Sequence, residues 1–227
     1  MKLLAVETAT EACSSALYID GEIEERFQIA PREHTNLILP MMDSLISEAS
    51  ITLRDLDALA FSRGPGSFTG VRIATGVIHG VALGLDLPVI PVSTLAAIAQ
   101  DCFNKTEAEY CFTAMDARMN EIYWAEYKKQ EDGLAVLVGE ETVGPAGRVA
   151  FSGSKGFGAG SGWKIYEAEL TARLDTFVAG YDASYLPRAS CIASLGVAGF
   201  TQGKAVPVEQ AMPVYLRDKV AKKESER

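Results

Sequence analysis

Two histidines, four cysteines and one glycine-rich turn are where this 227-residue chain offers residue types suited to chemistry. His34 and His79 stand 45 positions apart, and Cys13, Cys102, Cys111 and Cys191 form no CxxC pair. A transition metal needs several such ligands converging at short spacing, so a site here would rest on carboxylates alone; no metal is expected. No HExxH helix is present, which excludes zinc-protease chemistry. His34 follows Arg32 and Glu33 in the first turn of an expected helix, where polar side chains cap or pair, and is read as structural. The cysteines are read as reduced core thiols of a cytosolic protein.

The third feature is Ser62-Arg63-Gly64-Pro65-Gly66-Ser67-Phe68-Thr69-Gly70-Val71-Arg72-Ile73. Glycine reaches positive φ cheaply and proline presets its own φ, so Gly64-Pro65-Gly66 reverses the chain sharply. Ser67 or Thr69 then caps a helix over Val71–Leu85 by accepting one of its free amide protons. A strand, a glycine turn and a capped helix start make a place where an anion can sit. They equally make a ligand-free β–α connection, which is the preferred reading. Arg72 is read as bonding loop carbonyls or a carboxylate.

The elements around these residues follow from patterning. Lys2–Val6, Cys13–Ile19 and Glu22–Ile29 read as three antiparallel strands, the last polar and at an edge, with Asp20-Gly21 as the hairpin turn. Pro31–Ser50 reads as a helix with Pro31 in its first turn. Ile38, Met41, Met42, Leu45 and Ala49 share one face, and Leu37, Leu39 and Ile46 widen the stripe enough to suggest a second partner besides the sheet. Leu56–Phe61 is the fourth strand and Pro88–Val92 the fifth, with Ser93-Thr94 capping a helix through Cys102. From Ile73 to Leu85 there is no formal charge, and Gly76, Gly80 and Gly84 line one side of the helix. Each glycine costs about 1 kcal/mol relative to alanine, so a close backbone neighbour should offset the loss. That neighbour is either inside the domain or on another chain.

A second, less distinct unit follows. Tyr110–Met115 and Glu121–Tyr127 form a hairpin that buries Tyr123 and Trp124, Leu134–Val138 and Val149–Gly153 are further strands, and Gly156, Gly158, Gly160 and Gly162 make a loop. That loop fails the GxGxxG spacing and is read as binding nothing. Ala189–Gly199 is a helix, and Pro213–Arg217 runs extended before a frayed charged tail. The division expected is 1–105, 106–206 and a closing segment 207–227. Charge bounds the partners: 21 basic against 30 acidic residues leave −9, which repels a polyanion. Lys128-Lys129 and Lys222-Lys223 are read as solvated faces. Lys2 and Glu7 come too early for a signal peptide, and 73–85 is too short and glycine-rich to cross a bilayer, so a cytoplasmic protein is expected.

Leu4-Ala5-Val6-Glu7-Thr8-Ala9-Thr10, Pro31-Arg32-Glu33-His34-Thr35, Gly64 to Arg72, Asp116-Ala117-Arg118 and Pro213-Val214-Tyr215-Leu216-Arg217 occur in this order along nearly the whole chain. Together they closely resemble the TsaB (YeaZ) family, accessory to the synthesis of threonylcarbamoyladenosine in bacterial tRNA; 140–175 departs most. The resemblance implies the α/β fold of the actin, sugar-kinase and Hsp70 group, built of two ribonuclease-H-like halves. It implies kinship with the catalytic subunit TsaD and a complex with TsaD and TsaE. In that pathway threonine, bicarbonate and ATP give a threonylcarbamoyl-adenylate, and TsaD transfers the carbamoyl group to adenosine 37 of tRNAs reading codons that begin with A. The accessory protein itself is implied to do no chemistry, and the metal-binding HxxxH of the catalytic kin has no counterpart here.

Nucleotide sites of this group hold Mg²⁺ through acidic residues at two β-turns. The corresponding turns here carry Glu7-Thr8 and Asp116-Ala117-Arg118, a vestigial cation or nucleotide site of hard oxygens. Arg118 can neutralise Asp116, so weak ATP, ADP or Mg²⁺ binding is the most that is expected, and no cofactor is required. An ATPase or phosphotransferase is the competing reading. The preferred one is a scaffold that docks on TsaD, reaches TsaE through the complex, meets tRNA only indirectly and self-associates when alone. Its contact surface is expected at Ile38, Met41, Met42, Leu45, Ile46, Gly76, Gly80 and Gly84.

Overall fold

A computed structural model describes residues 1–217; the charged tail, with Lys222-Lys223, lies outside the described residues. Two five-stranded sheets carry the chain. The first contains β1 (Lys2–Glu7), β2 (Ala12–Ile19), β3 (Glu22–Ile29), β4 (Ala58–Ser62) and β5 (Val89–Val92) in the order β3-β2-β1-β4-β5. The second contains β6 (Tyr110–Asp116), β7 (Ile122–Lys129), β8 (Ala135–Gly144), β9 (Gly156–Ala159) and β10 (Val178–Asp182) in the order β10-β9-β6-β7-β8. Read from β8, that is the first sheet's connectivity repeated. Each sheet has two antiparallel pairings at its start and parallel ones after the crossover. The two-half α/β architecture implied by the resemblance is what the chain forms.

Alternation along β1 decides which helices cover which face. Leu4 and Val6 join α1 (His34–Glu48) and α2 (Phe68–Leu85) in one core, with Ile38, Met42, Leu45, Ala74, Ile78 and Ala82. Leu3 and Ala5 face α6 (Ala189–Thr201) through Ile192 and Ala193. In the second sheet, α3 (Thr94–Lys105) packs Leu95, Ile98 and Phe103 against Cys111 and Tyr127. The opposite face takes Trp163 from α4 (Gly162–Ile165) and Leu170 and Leu174 from α5 (Glu167–Leu174). The 1–105 and 106–206 division follows the sheets but not the helices. The helix ending the first segment lies on the second sheet, and the helix ending the second segment lies on the first.

Three readings need correcting. Pro31 lies outside α1, because Arg32 has φ +70° and the helix starts at His34. Val149–Gly153 is no strand: its backbone polar groups bond to side chains instead of a ladder. Trp124 Nε1 donates to Ala150 O at 2.9 Å, and the buried Glu126 carboxylate accepts from Ser152 N and Oγ at 2.6 Å each. The glycine loop is not a loop either. Its first part is β9, paired on both sides, and a Cβ at Gly158 would stand 2.3 Å from the Trp163 ring. Gly158 admits the indole, Gly156 the Phe112 ring, and Gly160 and Gly162 the Ala114 backbone. The edge strand β10 and the short α5 were not anticipated.

Candidate docking face and the cleft beside it

α2 is the first element of the site. Ser67 caps it by accepting from Gly70 N at 3.4 Å, and Asp86 closes it in the left-handed conformation. Its inner side, Val71, Ala74, Thr75, Ile78 and Ala82, is buried. Its outer side presents Phe68, Arg72, Gly76, Gly80, Leu83 and Gly84, with Phe68 60% and Leu83 73% exposed. At 18 residues the helix is long and apolar enough to cross a membrane by length and composition, contrary to expectation; its buried side is a wall of the first core.

Close packing within the described residues does not account for the glycine stripe. A Cβ at Gly76, Gly80 or Gly84 would meet nothing within 4 Å, so no neighbour among the described residues requires them. α1 contributes less than expected. Ile38, Met42, Leu45 and Ile46 lie inside the chain's own core and are unavailable to a partner. Met41 is half-buried and, with Leu37, packs partly against that core, leaving α1 only a rim position beside α2. Most of the apolar stripe is taken up by packing on the sheet and α2, while Leu39 stays 55% exposed. Among the described residues Arg72 bonds no carbonyl: its guanidinium stacks 3.3 Å from the Phe68 ring centroid and 5.6 Å from that of Tyr215.

The expected cation residues end at different places. Glu7 is fully buried at the end of β1; its Oε1 accepts from Ala9 N at 2.5 Å, while Oε2 has no partner among the described residues. Burial pushes its carboxyl up to about 7 against the pull of the Ala9 amide and Ser62 hydroxyl. Thr8 Oγ1 donates to Gly70 O at 2.7 Å. Asp116 belongs to the second half, where Arg118 Nη1 lies 3.1 Å from Oδ2 and Tyr166 donates to Oδ1 at 3.3 Å. No contact joins Asp116 to Glu7.

The turn that could cradle an anion is filled by the chain itself. Ser67 N donates to Ala9 O at 2.7 Å and Val71 N to Ser67 O at 2.9 Å. A Cβ at Gly70 would lie 2.0 Å from Thr8 O, so the glycine admits the first turn's backbone. His34 Nε2 lies 3.1 Å from Ala12 O and ties α1 to β2. Sequence reasoning missed the residues that span the halves: Arg63 Nη2 lies 3.4 Å from Glu141 Oε2, and Tyr127 OH donates to Glu141 Oε1 at 2.7 Å. Only their burial in three dimensions reveals them, since they are 64 to 78 positions from Arg63.

Comparison with known proteins follows this geometry. Residues 27–224 match the family model for TsaD, described as tRNA N6-adenosine threonylcarbamoyltransferase. The "tRNA threonylcarbamoyladenosine biosynthesis protein TsaB" of Escherichia coli K12 is 42% identical over 97% of this chain and 96% of that protein. Its Haemophilus influenzae counterpart is 37% identical over 97% and 95%. The solved structure of YeaZ from Pseudomonas aeruginosa superposes with a TM-score of 0.88 at 44% identity, covering 95% of this chain and 99% of that one.

Proposed function

The chain belongs to the TsaB (YeaZ) family, with the two-half α/β fold of TsaD and the actin-like proteins, and from that membership we propose that it is a non-catalytic scaffold and activator of TsaD. In this role it serves the formation of N6-threonylcarbamoyladenosine at position 37 of tRNAs that read codons beginning with A. It works in the cytoplasm, reaches TsaE through the shared complex, meets tRNA only indirectly and needs no cofactor of its own. The observation that carries the reading is the outer face of α2, where three exposed glycines meet no neighbour and no charge occurs from Ile73 to Leu85. Such a face costs helix stability and wets apolar surface unless another helix seats against it. Gly76, Gly80 and Gly84 are the contact positions, with Met41 at the rim.

The test is Gly80→Leu. Open space at this position lets the isolated fold accept the side chain, while a partner helix is held off. The expected result is an unchanged circular dichroism spectrum, a TsaD affinity at least tenfold weaker by pull-down or titration, and loss of any self-association on gel filtration. Unchanged assembly would show that α2 is not the contact.

A further inference from the structure

The closing segment is irregular, yet it is tied at several points to both halves of the chain. It starts buried: Ala211 lies in the first core, and its carbonyl O is 2.7 Å from His79 Nε2 on α2. Val214 N then donates to Arg63 O at 2.8 Å, at the carboxyl end of β4. Tyr215 follows, its ring 5.9 Å from Phe68 with the Arg72 guanidinium against both. Arg217 ends the segment on the other half. It donates to Ala117 O at 2.9 Å and Arg118 O at 3.3 Å, and pairs with Glu121 at 2.5 Å.

The receiving turn is unusual. Arg118, Met119 and Asn120 have φ of +62°, +59° and +60°, three successive left-handed residues without a glycine. Such a run persists only when something outside it holds it. Arg217 adds outside donors to Ala117 O and to Arg118 O, the latter also accepting from Glu121 N at 3.2 Å within the turn. On the first half the path is equally specific: Val214 O passes 2.9 Å from where a Cβ on Gly64 would stand, with Gly64 at φ +101°.

We propose that Ala211–Arg217 is a latch that fixes the second half against the first by crossing from the carboxyl end of β4 to the Ala117–Glu121 turn. Open α/β sheets receive ligands at the carboxyl ends of their strands. Here the chain's own segment takes that position, Val214 N donating to Arg63 O just past the end of β4. Two anchors define the device: the Phe68–Arg72–Tyr215 stack on one half and the Arg217 clamp on the other.

Hydrogen exchange on the full chain tests it, with Tyr215→Ala and Arg217→Ala, separately and together. Tyr215 is 46% exposed, so its loss leaves the cores intact; exchange in β1 and α6 serves as the check on folding. The double variant is expected to exchange at least tenfold faster at Val214, Ala117 and Glu121, with β1 and α6 unchanged and a larger radius of gyration by small-angle scattering. Tyr215→Phe keeps the stack and retains wild-type exchange. Unchanged protection at Val214 and Glu121 in the double variant, or equal acceleration in β1 and α6, overturns the latch.

Discussion

Glu7 shows how far one side chain can move from the role its type suggests. A carboxylate at a strand end beside a threonine is a sensible hard-oxygen ligand, but here it is sealed under the protein with one oxygen unpartnered. Its folded pKa of about 7 lies above the ordinary 4.5 because burial penalises the charged form. The native state therefore holds a proton that the unfolded chain releases between those values. Stability from this group is full below about 4.5 and is lost as pH rises through 7, by a total on the order of 3 kcal/mol. Glu7→Gln supplies a neutral isostere and should flatten that slope. Urea unfolding at pH 5 and pH 8 is the measurement: wild type should lose ground to the variant at pH 8. Parallel pH profiles for the two proteins would place the carboxyl in water.

At the scale of elements, α2 sets stability against docking. Exposed helical glycines cost roughly 1 kcal/mol each relative to alanine, and no contact among the described residues offsets that at Gly76, Gly80 and Gly84. Replacing all three by alanine should raise the urea midpoint of the isolated chain and weaken the proposed assembly with TsaD. A fall in stability would mean that the glycines are packed. How much of such elements was legible depended on whether local chemistry matched the final geometry. The opening hairpin, the Ser67 cap and the Ser93 cap, which accepts from Leu95 and Ala96 amides, carry their signals in adjacent residues. β9 does not: Gly156 and Gly158 look like a loop because the reasons for them, the Phe112 ring and the Trp163 indole of the following helix, act only once packed. The segment after Val149 read as a strand from its apolar residues, whereas Trp124 and Glu126, more than 20 positions earlier, take its backbone. In α1 the periodicity located the apolar face but not its occupant, since a stripe facing a sheet and a neighbouring helix looks like one facing another chain.

For the whole molecule, the decisive comparison is between a closed scaffold and a nucleotide-handling enzyme of the same architecture. Phosphoryl chemistry in such a fold needs acidic groups from both halves facing a shared Mg²⁺, free amides at the phosphate turns, and a cleft that opens. Glu7 is buried and held toward neutrality, and Asp116 is engaged by Arg118 and Tyr166. Ser67 N is bonded to Ala9 O, and Arg217 Nη1 donates to Ala117 O beside Asp116. The net charge of −9 adds long-range repulsion against a polyanionic ligand. Calorimetric titration of ATP·Mg²⁺ into the isolated chain should therefore give no saturable heat below ~1 mM, an affinity weaker than about −4 kcal/mol. Asp116→Asn should leave that trace unchanged. Micromolar binding abolished by Asp116→Asn would restore the phosphotransfer reading, because only a carboxylate released from Arg118 and directed at a metal could produce it.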